Sequence, residues 1–396
     1  MSFASEQSPG KLRRNRWVVK GLYALVYAAV GISSSFLNLY YHDSGFSGAQ
    51  IGLINTTAPL AGVFSTLVWG MLSDRSGKNR WLLVVSSLGV ILSMWGLKIT
   101  HNFGLLVLYA TTWGLFLSPM MSLLDSITLK LLGERRDQYG TMRVWGTVGF
   151  IITSSSMGFL VDRLGLPVLF SSYILLIVLF LVVSLALPDQ VVEGRRVEFS
   201  GFTEITRQPV WIAFAGSVFI IWLSATGLMV FLNIYLKGLG SSDQLIGFTF
   251  AAAALAELPI LPFSSVLLRR IGASRLVLIG FLGFALRMYF FSSLTNPAWG
   301  PVVSLLNGVS YVPFIIGGVA YASDLAPVHL KATSQGLLYA IMNLSSVFGG
   351  LFCGWLFDLT GPVRMYQTLA AACLVGLALF MWSQYGKRKM KTIESN

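Results

Sequence analysis

Four charged residues stand in stretches otherwise too apolar to hold them: Asp125, Arg143, Glu257 and Arg287. An ionised side chain at the centre of a bilayer costs about 2.5–3.5 kcal/mol even on lenient scales, so it persists where it is paired or functional. The chemistry open to these types is narrow. A carboxyl group exchanges a proton, a guanidinium holds an anion, and a pair that closes and separates alternates between keeping and shedding the proton. Glu257 lies near the middle of the run 244–268, followed by Pro259 and Pro262, which interrupt helix hydrogen bonding and favour a bend. Arg287 is at similar depth in the run 275–295, so a Glu257–Arg287 pair is expected. Asp125 and Arg143 flank a short connection between the runs 103–129 and 141–161, which lets them face each other. Two readings stay open. They are structural ion pairs between neighbouring helices, or they line one cavity in which Glu257, the deepest acid, and Asp125 exchange protons while Arg143 and Arg287 hold a ligand.

Helical spacing adds polar and aromatic candidates. Arg143, Thr147 and Phe150 share a face at i, i+4 and i+7, whereas Trp145 points away and reads as packing. Tyr23 and Tyr27 form a stripe, as do Asn307 and Tyr311, and Gln335, Tyr339 and Asn343. Each stripe faces a ligand or bonds one helix to another.

The elements that must position these residues follow from composition. Of 396 residues, 55% are hydrophobic and 11% charged. Soluble domains carry about 25% charged residues, so lipid is the solvent of this chain. Twelve runs are long and apolar enough to cross a bilayer: 17–41, 50–72, 81–99, 103–129, 141–161, 166–187, 210–236, 244–268, 275–295, 298–323, 332–357 and 362–384. The first is read as a retained helix because it is too long for a cleaved signal. The polar segment 188–209 divides the chain into an N-terminal six-helix bundle, 1–187, and a C-terminal one, 210–396, with a basic tail. With both termini in the cytoplasm, 21 of the 28 Lys and Arg fall on the cytoplasmic side and four on the other, as the positive-inside rule requires. The net charge of +12 is thus topological, and nucleic acid is not an expected partner. Cys353 and Cys373 lie in apolar runs, the three histidines lie in connections, and neither a metal-ligand spacing nor a nucleophile motif is present. No enzyme activity, metal or cofactor is expected.

One motif recurs. Gly70-Met-Leu-Ser-Asp74, Gly158-Phe-Leu-Val-Asp162 and Gly354-Trp-Leu-Phe-Asp358 end the second, fifth and eleventh runs, and Ser265-Val-Leu-Leu-Arg269 is a degenerate copy ending the eighth. In each copy a glycine follows three residues after the charge, at 77, 165, 272 and 361. The chain is therefore expected to be built of inverted three-helix units nested in two parallel halves.

Gly70 to Arg80 resembles the signature loop of the major facilitator superfamily, and Pro327 to Gly336 is similar to its loop into the eleventh helix. A narrower resemblance, to the phenylpropionate-permease-like group related to lactose and nucleoside proton symporters, rests on Leu124-Asp125-Ser126, Tyr139-Gly-Thr-Met-Arg143-Val-Trp145-Gly146, Ala256-Glu257 and Arg287. The resemblance implies an all-α membrane protein of twelve transmembrane helices in two pseudo-symmetric six-helix bundles. It further implies a monomer in the cell (inner) membrane that carries a small organic solute, an aromatic acid or similar, with protons by alternating access. The alternatives are an uncoupled facilitator, a proton-driven exporter and a non-transporting receptor on the same fold. Gly70, Asp74, Arg75, Gly77 and Arg80 read as a cytoplasmic gate, with Asp74 set against the N-terminus of the eleventh helix. Asp162 and Asp358, at the opposite face, are expected to need no role.

Overall fold

The computed structural model describes residues 9–76, 79–133, 135, 138–187 and 202–394, and all regular elements among them are helices. In chain order these are α1 (Pro9–Ile32), a π-helical turn (Ser33–Leu37), α2 (Asn38–Asp43), α3 (Gly48–Ser76), α4 (Asn79–Ile99), α5 (Phe103–Leu132), α6 (Tyr139–Leu164) and α7 (Val168–Ser184). There follow α8 (Phe202–Thr206), α9 (Pro209–Gly238), α10 (Asp243–Leu255), α11 (Ser264–Ile271), α12 (Ala273–Ser292), α13 (Gly300–Ser304), α14 (Asn307–Leu325) and α15 (Lys331–Glu394). Inside hydrocarbon every backbone N–H and C=O must be bonded within the protein, which a helix does within its own segment, and continuous apolar runs of this length suit helices.

Among the described residues, nine helical stretches are long and apolar enough to cross a bilayer, and two shorter apolar helices, α7 and α10, accompany them. The last long stretch breaks at Gly361 and makes two crossings, which brings the total to the twelve expected. The segment expected to divide the halves falls mostly outside the described residues; α8 and the first residue of α9 occupy its end.

The chain forms two compact units. The first comprises Met1–Phe46, Leu53–Arg195 and Ser241–Ala251; the second comprises Ser47–Gly52, Arg196–Gly240 and Ala252–Asn396. Inside the first, α1 packs on α6 and α7, and α4 on α5 and α7. Inside the second, α9 packs on α15, and α12 on α14 and α15. Small residues permit these approaches, as membrane packing requires. A Cβ on Gly146 of α6 would meet the Tyr27 ring of α1 at 2.7 Å, so a larger residue there would push α1 and its tyrosines off α6.

The eighth apolar run is the main departure from regular helix. A bend was expected from its prolines; the helix instead stops. α10 ends at Leu255, the chain turns through a 3₁₀ segment at Leu261–Phe263, and α11 resumes at Ser264. The Glu257 carbonyl closes the turn, accepting from the N–H groups of Ile260 and Leu261, both at 3.1 Å. Pro259 and Pro262 lack the N–H groups that would continue the ladder.

The recurrent motif has a local physical basis. Its last glycine terminates a helix in a conformation open essentially to glycine alone: Gly165 at φ 79°, ψ 166°, Gly272 at φ 86°, ψ 154°, and Gly361 at φ 76°, ψ 168°. Its Gly-x-x-x-Asp puts a bare patch and a carboxylate on one helix face, one turn apart. In the second unit, the first turn of α3 sits on that patch, and Asp358 accepts from the N–H groups of Gly48 (2.6 Å) and Ala49 (2.8 Å). In the first unit, Asp162 does the same for α10, accepting from Asp243 (3.0 Å) and Gln244 (3.3 Å). The expectation that these two aspartates have no role is corrected. Each satisfies two orphan donors and faces the positive end of a helix dipole.

Replacing Asp162 or Asp358 by Ala is expected to cost about 1 kcal/mol, while Asn, itself a good cap, keeps most of it. Melting of the detergent-purified variants checks this; an Ala variant as stable as the parent would remove the capping role. Gly361→Ala is expected to cost about 1–3 kcal/mol by the same measurement, because no other residue adopts its backbone angles without strain.

Candidate functional site

In the first unit a polar cluster forms where α1, α5 and α6 meet. Two pairs spaced i, i+4 converge on one acid: Tyr23 and Tyr27 from α1, Tyr139 and Arg143 from α6, around Asp125 of α5. The hydroxyls of Tyr23 (2.5 Å) and Tyr139 (2.9 Å) both donate to Asp125 Oδ1. Arg143 Nη1 stands 4.0 Å from the same oxygen, and its guanidinium lies 4.8 Å from the Tyr27 ring centroid. The expected Asp125–Arg143 pairing is therefore present as a long single contact, not as a bidentate bridge. The side chains of Arg143 and Asp125 are 44% and 38% exposed. Thr147 and Phe150, half-buried, continue the Arg143 face along α6.

Tyr23 was expected to line the cavity. It is only 1% exposed and its hydroxyl is taken by Asp125, so it supports the site from behind. Tyr139 stood in the motif that opens the fifth crossing but not among the candidates; its i, i+4 spacing to Arg143 was the available signal. Trp145, as expected, packs elsewhere, edge-on to Trp17 with Lys20 over both rings.

In the second unit, Glu257 lies half-buried in the break between α10 and α11. Asn307, the first residue of α14, joins it to Arg287: its amide donates to Glu257 Oε1 (2.7 Å) and to the Ala253 carbonyl (3.1 Å), and its oxygen accepts from Arg287 Nη1 (2.5 Å). The expected acid–arginine association thus runs through an amide. Arg287 is 6% exposed and Asn307 8%, so neither presents the open polar surface expected of a ligand contact. Both brace Glu257 from within the helix packing.

One turn along α14, half-buried Tyr311 lies 6.1 Å from Trp222 of α9, whose indole N–H donates to Ser346 Oγ at 2.9 Å. Trp222 was missed because a lone aromatic in an apolar helix has no distinguishing spacing. Gln335 donates to Ser323 Oγ of α14 at 2.7 Å, a bond between helices, while Tyr339 and Asn343 are exposed. Of the gate candidates, Gly70 lies in α3, Arg75 is exposed and Arg80 half-buried. Gly77 and the side chain of Asp74 lie outside what is described, and the latch with them.

The comparisons agree with this architecture. Several curated relatives cover most of the chain. An uncharacterised transporter of Bacillus subtilis, YwbF, is 25% identical over 97% of each chain. The maltose permease of Geobacillus stearothermophilus is 26% identical over 91% of this chain and 92% of its own. A probable 3-phenylpropionic acid transporter of Escherichia coli is 25% identical over 87% and 88%. Among solved structures, a point mutant of the nucleoside transporter NupG superposes with a TM-score of 0.83 at 18% identity, covering 93% of this chain and 99% of that one. Relatives and neighbours alike are transporters, not enzymes. The model of the MFS_1 like family matches residues 16–368, and the chain belongs to that family as a multi-pass membrane transporter of the major facilitator type.

Proposed function

We propose that this transporter carries a small organic anion, an aromatic acid or similar, together with protons by alternating access. Arg143 carries the reading. It is a guanidinium 44% exposed, laid on the Tyr27 ring, at the foot of a face continued by Thr147 and Phe150. A planar guanidinium matches a carboxylate bidentately, and the rings beside it suit an aryl group. Glu257 is the proton carrier: a half-buried acid in the turns that interrupt a membrane helix, and discontinuous membrane helices are where transporters place coupling-ion sites. No cofactor takes part; the proton gradient is the driving force. The distribution of Lys and Arg supports cytoplasmic termini; in this reading the protein works as a monomer in the cell (inner) membrane. The relative named for 3-phenylpropionic acid supports an aryl carboxylate. The maltose permease favours a second reading, a neutral sugar, which would engage Glu257 and Trp222 instead.

The test is uptake into proteoliposomes of labelled 3-phenylpropionate, its amide, maltose and uridine, each corrected for protein-free vesicles. Carboxylate uptake is expected to rise when the outside is made acidic and to collapse with a protonophore. Uptake indifferent to the gradient would make the protein a facilitator, efflux driven by inward protons an exporter, and binding without flux a receptor. Glu257→Gln is expected to abolish stimulation by the gradient while leaving exchange of internal for external substrate. Arg143→Gln is expected to weaken carboxylate binding about ten- to hundred-fold and binding of the amide little, as loss of a charge-assisted bond predicts. Preference for maltose over the carboxylate would replace the proposal with the sugar reading.

A further inference from the structure

The first-unit cluster contains a competition that its charges alone do not predict. An Asp and an Arg on adjacent helices ordinarily close to about 2.7–2.9 Å, often bidentately. Here Nη1 of Arg143 remains 4.0 Å from Asp125 Oδ1, beyond hydrogen-bond range, and two phenols hold that oxygen instead, at 2.5 and 2.9 Å. The sorting is by layer. On α1, Tyr23 goes to the acid and Tyr27, one turn on, to the guanidinium. On α6, Tyr139 goes to the acid and Arg143, one turn on, lies against Tyr27. Acid and guanidinium are thus served by successive helical turns, about 5.4 Å apart along each axis. Tyr23 is fixed by packing, being 1% exposed, so its hydroxyl anchors the acid layer.

We infer that Tyr23 and Tyr139 are positioning residues, a phenol clamp that keeps Asp125 from closing on Arg143 and so leaves the guanidinium fork available to an anionic ligand. The inference rests on the anion reading of Arg143 and deepens it. The two O–H dipoles also point at the acid, offsetting the repulsion an incoming carboxylate would meet from it. Without the clamp, Asp125 occupies the fork as an internal carboxylate, and the ligand must displace it.

A merely structural role for the tyrosines and a clamp differ in one respect: removing the acid rescues only the clamp. The first readout needs no ligand. Arg143 is labelled with p-hydroxyphenylglyoxal, which attacks accessible guanidinium groups, and its rate is followed by peptide mass spectrometry in Tyr139→Phe, in Tyr23→Phe/Tyr139→Phe, and in each combined with Asp125→Asn. The tyrosine variants are expected to label several-fold more slowly than the parent, because the fork is paired, and the Asp125→Asn combinations to return to the parental rate. The single variant Tyr139→Phe carries the test if the double variant does not fold, since Tyr139 is only half-buried. Unchanged labelling in Tyr139→Phe, or slowed labelling that Asp125→Asn does not restore, overturns the clamp. The second readout is 3-phenylpropionate binding, expected to weaken about tenfold in Tyr139→Phe and to recover in Tyr139→Phe/Asp125→Asn. Labelling that follows the expected pattern in a protein that binds no carboxylate leaves the clamp standing and removes the anion reading. Carboxylate binding with unaltered labelling does the reverse.

Discussion

Hydrocarbon offers no hydrogen bonds, so a backbone that crosses it must bond to itself and a charge carried into it must bring its partners along. The polar positions inside this chain follow from that constraint. Asp125 has two phenols; Arg143 has an aromatic face and a distant acid. Glu257 and Arg287 share the amide of Asn307, which has a donor for one and an acceptor for the other. Neutral side chains do most of this bonding. A close salt bridge would satisfy the same charges more simply but would also consume them, whereas phenols and an amide solvate a charge and leave it usable.

The constraint also explains why the repeated motif is a helix-end motif. A helix that stops leaves four carbonyls or four N–H groups without partners. Glycine in its special backbone conformation turns the chain out at one end, and the aspartate one turn back serves another helix's first N–H groups. The copy ending at Gly272 carries Arg269 in place of the acid, so it keeps the turn and loses the cap.

Much of this was legible in the sequence because membrane helices announce themselves by length and apolarity, and the repeat by its spacing. The twelve crossings, the clustering of Asp125 with Arg143, and the association of Glu257 with Arg287 all rest on depth and helical period. What the sequence withheld has a common cause. Period places a residue on a face but not at a distance, so the phenols on Asp125, and the amide between Glu257 and Arg287, were invisible until the helices were packed. Prolines signalled a bend near Glu257 but not a full interruption, because the outcome depends on whether other groups take up the released backbone. Trp222 carried no signal, since its significance lies wholly in facing Tyr311 and Ser346.

The two units treat the same pair of charges differently. In the first, guanidinium and acid are both exposed, and hydroxyls hold the acid. In the second, the guanidinium is buried and the acid is the more accessible partner, held in the hydrogen-bonded turns between α10 and α11. An acid and an arginine that closed on each other would neutralise the site, and neither anion nor proton would be favoured there. Under the proposed function, holding each acid off its arginine, with phenols on the acid in one unit and an amide in the other, avoids that outcome, the first unit serving charge recognition and the second proton exchange. On that proposal, coupling requires only that the conformational equilibrium depend on the occupancy of both sites, which is a demand on the packing of helices and not on any further charged residue.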